Sequence, residues 1–307
     1  MLITTGKTRV FVDRDIHLDC DGEFAFVSHA HSDHVKLKKA KHLIASPETK
    51  SLINAKGVKL PEDYSNDKIE LLEAGHVLGA RQLRASTDTG VFTYTGDFCL
   101  EKNILGGGAE TKECDSLLME TTFGLPKYEF PERSSIYDSV IDFQKNANGI
   151  TVYAAYSLGK TQELIKLLND KVGLIPLVGK EAAEISRVYN KYGCNLKFIE
   201  LGTTDAEEVL DYDFVAILPP RKFTPEFIKN LRLVHGKKVS SAFVSGWAVN
   251  KWYSWCDAVF PLSNHSDYSG LVEYVERVSP KKVFCTHGFS KEFAADLARR
   301  GFQAQSI

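Results

Sequence analysis

Nine residues, Phe26-Val27-Ser28-His29-Ala30-His31-Ser32-Asp33-His34, constrain this chain more than any other stretch. Three imidazoles and a carboxylate fall within six positions, directly after the apolar run Phe24 to Val27, which reads as a buried strand. Alternation in an extended segment sends His29 and His31 to one side. Asp33 and His34 follow where the chain should turn and start a helix. One metal ion could take the first pair of side chains and a second ion the other pair. Imidazole and carboxylate are the ligands that zinc and other borderline divalent ions prefer. A histidine-rich surface loop is the bland alternative, but a metal site needs partners elsewhere, and the chain supplies candidates.

Those candidates sit where apolar runs end. The stretches Leu2–Thr4, Arg9–Val12, Ile16–Leu18 and Phe24–Val27 read as short strands, and Asp19 closes the third beside the Asp21-Gly22 turn. Asp19 reads equally as a turn carboxylate or as an acceptor that orients a metal-bound imidazole. His42–Ala45 reads as a strand, with His42 structural, and Pro47 as the start of a helix. Ile69–Leu72 and Arg81–Ala85 flank His76, which lies between glycines that let backbone pass close to a bulky site. Val91–Thr95 leads into Gly96-Asp97, and an aspartate there can bridge two cations through its two oxygens. Ser116–Met119 ends in Glu120. Ala258–Phe260 precedes His265, with a helix over Tyr268–Val278, and Val283–Thr286 delivers His287 before a helix over Lys291–Arg300. Repeated delivery of His or acid side chains at strand ends is the pattern of an active site built on a sheet edge. Taken one at a time, His265 and His287 read as structural as readily as functional.

From about Leu125 to Trp255 strand-like Thr151–Ala155, Leu174–Val178 and Phe214–Leu218 alternate with helical Thr161–Leu168, Glu181–Tyr192 and Pro225–Leu233. This alternation implies a parallel α/β unit. Inside it, Ser157-Leu158-Gly159-Lys160-Thr161 suggests a nucleotide P-loop, but the position that a P-loop fills with glycine is Ala154 here. What remains is a glycine turn before a helix. Ser157, Gly159 and Lys160 are candidate phosphate contacts through backbone N–H groups and the ammonium, and Gly159 reads equally as a plain turn residue. The lysines of Val35–Lys41 read as a solvated helix face or as phosphate contacts. Trp247, Trp252 and Trp255 read as packing residues or as platforms for bases.

The 307 residues carry a formal net charge of -2, so no global basic field marks nucleic-acid binding. Bound divalent ions would concentrate positive charge that such a count misses, so a polyanionic substrate stays open. The six cysteines are scattered without a C-x-x-C pair, which points to reduced thiols inside a cell. No apolar run approaches a membrane span, and the start lacks the long apolar core of a signal peptide. The expected setting is the cytoplasm, without membrane contact.

Together these motifs resemble the metallo-β-lactamase superfamily, whose signature is H-x-H-x-D-H after a strand, a lone His, an Asp after a strand and a late His. His29, His31, Asp33, His34, His76, Asp97 and His287 match it in order. Glu120, His265 and His287 look like the later motifs of its β-CASP branch, which acts on nucleic acids, and Asp19 matches that branch's early aspartate. Phe123–Tyr128, Ala155–Lys160 and Ser245–Trp247 are most similar to the DNA-ligase-associated exonucleases. The resemblance implies an αββα sandwich from residues 1–124 and 256–307 with an inserted α/β β-CASP domain over 125–255. It implies one cation held by His29, His31 and His76, another by Asp33, His34 and His287, and Asp97 bridging them. Zinc is the expected ion, and manganese or iron also fits. Asp33, Glu120 and His265 are the implied catalytic residues, with His265 as general acid oriented by Glu120. The implied activity is a two-metal nuclease, a DNA exonuclease in repair, with DNA (single-stranded in a cleft between domains) as partner and a DNA ligase or repair complex nearby. His at position 287 does not separate DNA from RNA, so an RNA-processing nuclease is the alternative. A small-molecule metallohydrolase is a further one, although it needs neither the insertion nor the Glu120/His265 pair. A non-catalytic binding module would be expected to have lost ligands, and here none is missing.

Overall fold

The computed structural model describes residues 2–4, 7–250 and 255–307. They divide into two units. The first comprises residues 1–102, 106–129 and 264–307, and the second comprises 103–105 and 130–263.

The first unit holds two six-stranded sheets. In one, Leu2–Thr4, Lys7–Phe11, Asp15–Leu18, Phe24–Phe26, His42–Ile44 and Glu62–Asp63 lie side by side in chain order. The other runs Ala304–Ser306, Lys282–Thr286, Ser116–Glu120, Gly90–Tyr94, Arg81–Thr87, Ile69–Glu73. The inward residues of the first sheet (Val10, Ile16, Leu18, Phe26, Ile44) and of the second (Leu83, Ala85, Phe92, Tyr94, Leu118) form one buried core. Strand alternation produces this face: every second residue of Arg81–Thr87 points into the shared layer. Helix Pro47–Ala55 starts from a Ser46 cap, with Pro47 in the first turn, and buries Leu52 and Ile53. Helix Tyr268–Val278 packs Tyr274 at a tilt against Phe98 with ring centroids 4.5 Å apart and bonds Gln82 through the Tyr274 hydroxyl. The result is the αββα sandwich that the motifs implied.

The arrangement of parallel strands positions the site. Ser116–Glu120 pairs parallel with both Lys282–Thr286 and Gly90–Tyr94, so Glu120, His287 and Asp97 leave the sheet at the same carboxyl edge. Asp15–Leu18, Phe24–Phe26 and His42–Ile44 are also mutually parallel, which brings Asp19 and the histidine loop out together.

The second unit is a parallel sheet ordered Ile199–Glu200, Leu177–Val178, Val215–Leu218, Ile150–Ala154, Val239–Val244, Ala258–Phe260. Its central strand, Ile150–Ala154, is buried along its whole length, as strands covered on both faces are. The expected boundaries move. The strand Ala258–Phe260 pairs with Val239–Val244, so the chain leaves the α/β unit after Ser263 rather than at residue 255. Leu125–Glu129 stays with the sandwich, where Tyr128 N–H and C=O groups are satisfied by Leu125 and Tyr268. The helix expected after His34 is absent: residues 35–41 are irregular, and the next helix is Pro47–Ala55. Helix Arg133–Asn146 and strand Val239–Val244 went unread, the helix because Arg133 and Gln144 share its buried face with Ile136, Val140 and Phe143, the strand because burial on both sides erases alternation. No helix among the described residues is long and apolar enough to cross a membrane.

Candidate metal centre and active site

Asp97 is the hub. Its Oδ2 lies 3.5 Å from His29 Nε2, 3.4 Å from His34 Nε2, 3.8 Å from His76 Nε2 and 4.0 Å from His265 Nε2. Gly96 lets the chain turn there: its φ is +56°, and a side-chain carbon on it would stand 2.5 Å from Ser28 Cβ. Only glycine permits both that backbone conformation and that approach.

The imidazoles of His29 and His76 are held with their Nε2 lone pairs aimed inward. Ser28 Oγ donates to Asp19 Oδ2 at 2.6 Å, so toward His29 Nδ1, 2.9 Å away, it can only accept. His29 therefore carries its proton on Nδ1 and a lone pair on Nε2. That Nε2 is buried without a hydrogen-bond partner, on a side chain that is 0% exposed. A buried polar atom left so is costly unless a cation completes it. His76 Nδ1 faces the carbonyl of Asn264 at 2.7 Å and must donate to it, leaving Nε2 as acceptor 3.1 Å from His31 Nδ1. Burial pushes the pKa of both His29 and His76 well below the usual imidazole value, which keeps them neutral and available as ligands. Asp97 goes the other way. Burial would raise its pKa, but the surrounding imidazoles, His265 and His34 foremost, hold it well below the carboxylate range.

Asp19 organises the other side. Its carboxylate accepts from Ser28 N–H (2.7 Å), Ser28 Oγ–H (2.6 Å), Tyr94 O–H (2.9 Å) and His34 Nδ1 (2.8 Å). Burial opposes a charge on His34, yet Asp19 and Asp97 outweigh it and the imidazole is pushed up to about 11. Asp19 and His287 both sit at positive φ, +47° and +59°. Asp and His are among the few side chains that tolerate this region, which recurs at functional sites.

The expected residues do not close equally. His29, His31, His76 and Asp97 place one ligand atom each within 4.8 Å of one another, as do Asp97, Glu120 and His265, and Asp19, His29 and His34. Asp33 and His287 are looser. Asp33 is 79% exposed with Oδ2 3.8 Å from His34 Nε2, and the His287 ring stands 5.9 Å from that of His34. His265 Nδ1 meets Glu120 Oε1 at 2.9 Å, and the other oxygen of Glu120 accepts from Thr122 N–H at 2.7 Å. Thr121 Oγ1 donates to the carbonyl of His287 at 2.7 Å, linking the two motifs. The composition of the set, imidazoles (neutral at His29 and His76) around a shared carboxylate, fits divalent ions of zinc's hardness.

The residues expected as phosphate contacts in the second unit have partners within the chain. Gly159, at φ +91°, is the turn residue that starts helix Lys160–Leu167. Its N–H donates to Gln162 Oε1 at 2.8 Å, Ser157 Oγ donates to Glu181 at 3.0 Å, and Lys160 is buried with Nζ over the Tyr156 ring. Gln162 thus caps this helix start from within. Trp255 packs on Phe223 at 4.8 Å, and Trp252 lies outside the described residues. Sequence reasoning missed Ser28 and Tyr94, whose roles exist only through Asp19. It also missed Arg133, whose guanidinium bonds Glu163 and the Ser263 carbonyl at 2.7 Å each.

A family model described as the RNA specificity domain of Zn-dependent metallo-hydrolases matches residues 258–305. The chain is 34% identical over 301 residues to a probable DNA ligase of Opitutus terrae, a match covering 92% of this chain and 28% of that protein. It is 23% identical over 297 residues to the DNA cross-link repair 1A protein of Mus musculus, covering 85% of this chain and 28% of that one. To RNase aCSPSF2 of Saccharolobus solfataricus it is 25% identical over 188 residues, covering 47% of this chain and 38% of the other. The chain belongs to the β-CASP branch of the metallo-β-lactamase superfamily. It spans 28% to 38% of the length of these relatives.

Proposed function

We propose that this chain is a two-metal nuclease that hydrolyses phosphodiester bonds of DNA, as an exonuclease acting on single-stranded ends in repair, in the company of a DNA ligase. The observation that carries this reading is the convergence of four imidazole Nε2 atoms on one Asp97 oxygen within 4.0 Å, one of them backed by Glu120. His29, His31 and His76 would hold one cation, Asp33, His34 and His287 the other, and Asp97 both. Such cations, when bound, supply Lewis acidity that lowers the pKa of water and offsets charge on phosphoryl oxygens.

The remaining work belongs to the chain. Asp97 and the buried imidazoles exclude competing water donors and fix where charge can accumulate. Glu120 holds His265 by Nδ1, so that Nε2 faces the Asp97 cluster and can hand its proton to the departing oxygen. Asp19 and Ser28 set the tautomers of His34 and His29. A thioesterase or lactonase needs no such proton donor beside its metals, which favours the phosphodiester.

DNA is preferred because the two relatives named for DNA match 92% and 85% of the chain, inserted unit included, whereas the RNase matches 47%. The ligase supports a shared pathway, since its match to this chain lies within one ligase polypeptide. The RNA reading draws on the RNase relative and on the description of the matched family model. The test is a panel of DNA and RNA strands with defined ends, digested with and without chelator, with metal analysis of the same preparation. Chelator-sensitive shortening of single-stranded DNA is expected. Cleavage confined to RNA would reverse the preference, and hydrolysis of thioesters or lactones with intact polynucleotides would overturn the reading.

A further inference from the structure

The lysines that follow the histidine loop have no part in the centre just described. Residues 35–60 contain seven lysines and a single carboxylate, Glu48, in a chain of net charge -2. Because residues 35–41 are irregular, Lys36, Lys38, Lys39 and Lys41 do not line a solvated helical face. Lys41 and Lys50 pair with Glu23 and Asp63. Among the described residues Lys38 and Lys59 form no ion pair. They fringe a groove of about 370 Å³ within the first unit, floored by Val35, Leu37 and Ile53 and edged by Lys38, Lys56 and Lys59. Ala30 and Ser32 also border it, and these alternate with His29 and His31 in the histidine loop. Lys56 Nζ donates to the Ala30 carbonyl at 2.6 Å, which ties one edge of the groove to that loop.

An apolar floor under a cationic rim suits a flat, weakly polar ring carried on an anionic chain. The volume lies in the range of small-ligand sites, about 300–1,000 Å³, and suits one nucleotide. Lysine is a point charge without the planar fork that reads base edges, so the site would be indifferent to sequence. We propose that this groove is a subsite for single-stranded nucleic acid: one base lies on Val35, Leu37 and Ile53, and the flanking phosphates meet Lys38, Lys56 and Lys59. The proposal rests on the nuclease reading and deepens it. Ala30 sits between two candidate ligands, so a strand whose scissile phosphate meets the histidines has its neighbouring nucleotides beside these lysines. Base burial and phosphate neutralisation together would hold a strand in place while its end is cut.

The test is fluorescence anisotropy of a labelled oligothymidylate with the full chain, in chelator so that nothing is cleaved, over a salt series. In Lys38→Gln/Lys56→Gln/Lys59→Gln the slope of log affinity against log salt is expected to flatten by about 0.7 per lysine, weakening binding about a hundredfold at roughly 0.1 M salt. The matching triple arginine variant restores the slope. Leu37→Asp is expected to weaken oligothymidylate more than an abasic strand of equal length. If losing the Lys56–Ala30 bond unfolds the triple variant, Lys38→Gln/Lys59→Gln should still flatten the slope by about 1.4. A folded variant with the parental slope overturns the subsite while parental binding and cleavage preserve the nuclease reading, and this is also the result if the groove takes a protein segment instead. A parental chain that neither binds nor cuts any strand overturns both.

Discussion

Replacing Asp19 by asparagine tests how the centre is preorganised. Asparagine tolerates the positive φ of this position as well as aspartate does, so the backbone is not strained. The electrostatics and the donor–acceptor pattern do change. Asp19 Oδ1 accepts from Ser28 N–H, and Oδ2 accepts from Ser28 Oγ–H, Tyr94 O–H and His34 Nδ1. An amide has one oxygen and one NH₂. If the NH₂ faces Ser28 N–H, two donors collide and a buried N–H is left unpaired. If it faces the other three, the Ser28 hydroxyl must accept and can turn its hydrogen toward His29 Nδ1. That drives His29 to the tautomer with hydrogen on Nε2, the proposed metal-binding atom. Either outcome leaves a buried group unsatisfied, at about 1–3 kcal/mol of stability. Removing a partner that orients a metal ligand weakens the metal about 10–100-fold. Asp19 supports His34 directly and His29 through Ser28, so the loss should approach the product, up to about 10⁴-fold. The assay is chelator competition for zinc, with ¹⁵N-detected imidazole tautomers of the metal-free protein and thermal melting as controls. Tyr94→Phe, which removes one donor and leaves the carboxylate, should cost only about 0.5–1.5 kcal/mol and change metal affinity little. An Asp19→Asn protein with parental zinc affinity and the His29 proton still on Nδ1 would overturn this account.

Other expectations follow from the same geometry. His265→Ala should keep the full metal complement and lose cleavage by about 10²–10⁴-fold, as removal of a general acid does; loss of an ion from that variant would make His265 a ligand instead. In the metal-free protein the His34 proton stabilises the fold fully below the ordinary imidazole value, and that contribution is lost as pH rises toward about 11. A cation must displace this proton, so apparent metal affinity should rise about tenfold per pH unit near neutrality. Stability of stripped protein and of loaded protein should diverge as pH increases, and parallel melting curves across pH would contradict this. Arg133 and Glu163 pair with side chains only 6% and 1% exposed. Arg133→Met should destabilise by about 3–5 kcal/mol in urea unfolding, and adding Glu163→Leu should recover much of it, because the buried carboxylate, still bonded by the Tyr137 hydroxyl but without a countercharge from Arg133, dominates the loss; a double variant as unstable as the single one argues against a paired role.

The candidate ligand set was legible in the local pattern of the chain, and the class of fold through the family resemblance that its motifs carry. His29, His31, His34, His76 and Asp97 follow apolar runs, and a run that becomes a buried strand must deliver its next polar residues to a sheet edge. The parallel α/β alternation of the inserted segment was legible for the same reason: period and turn residues are local. Everything that depends on which strands become neighbours had to wait for the folded chain. Tyr94 and Ser28 carry no local sign of importance, and they matter because Asp19, distant in the chain, meets both. Gly159 and Ser157 looked like anion contacts until Gln162 and Glu181, from two different helices, took their hydrogen bonds. The strand Ala258–Phe260 reads identically in either domain, and only its pairing with Val239–Val244 assigns it. Local pattern fixes what a segment can become, while hydrogen-bond partners and burial are settled by contacts between segments that the pattern does not encode.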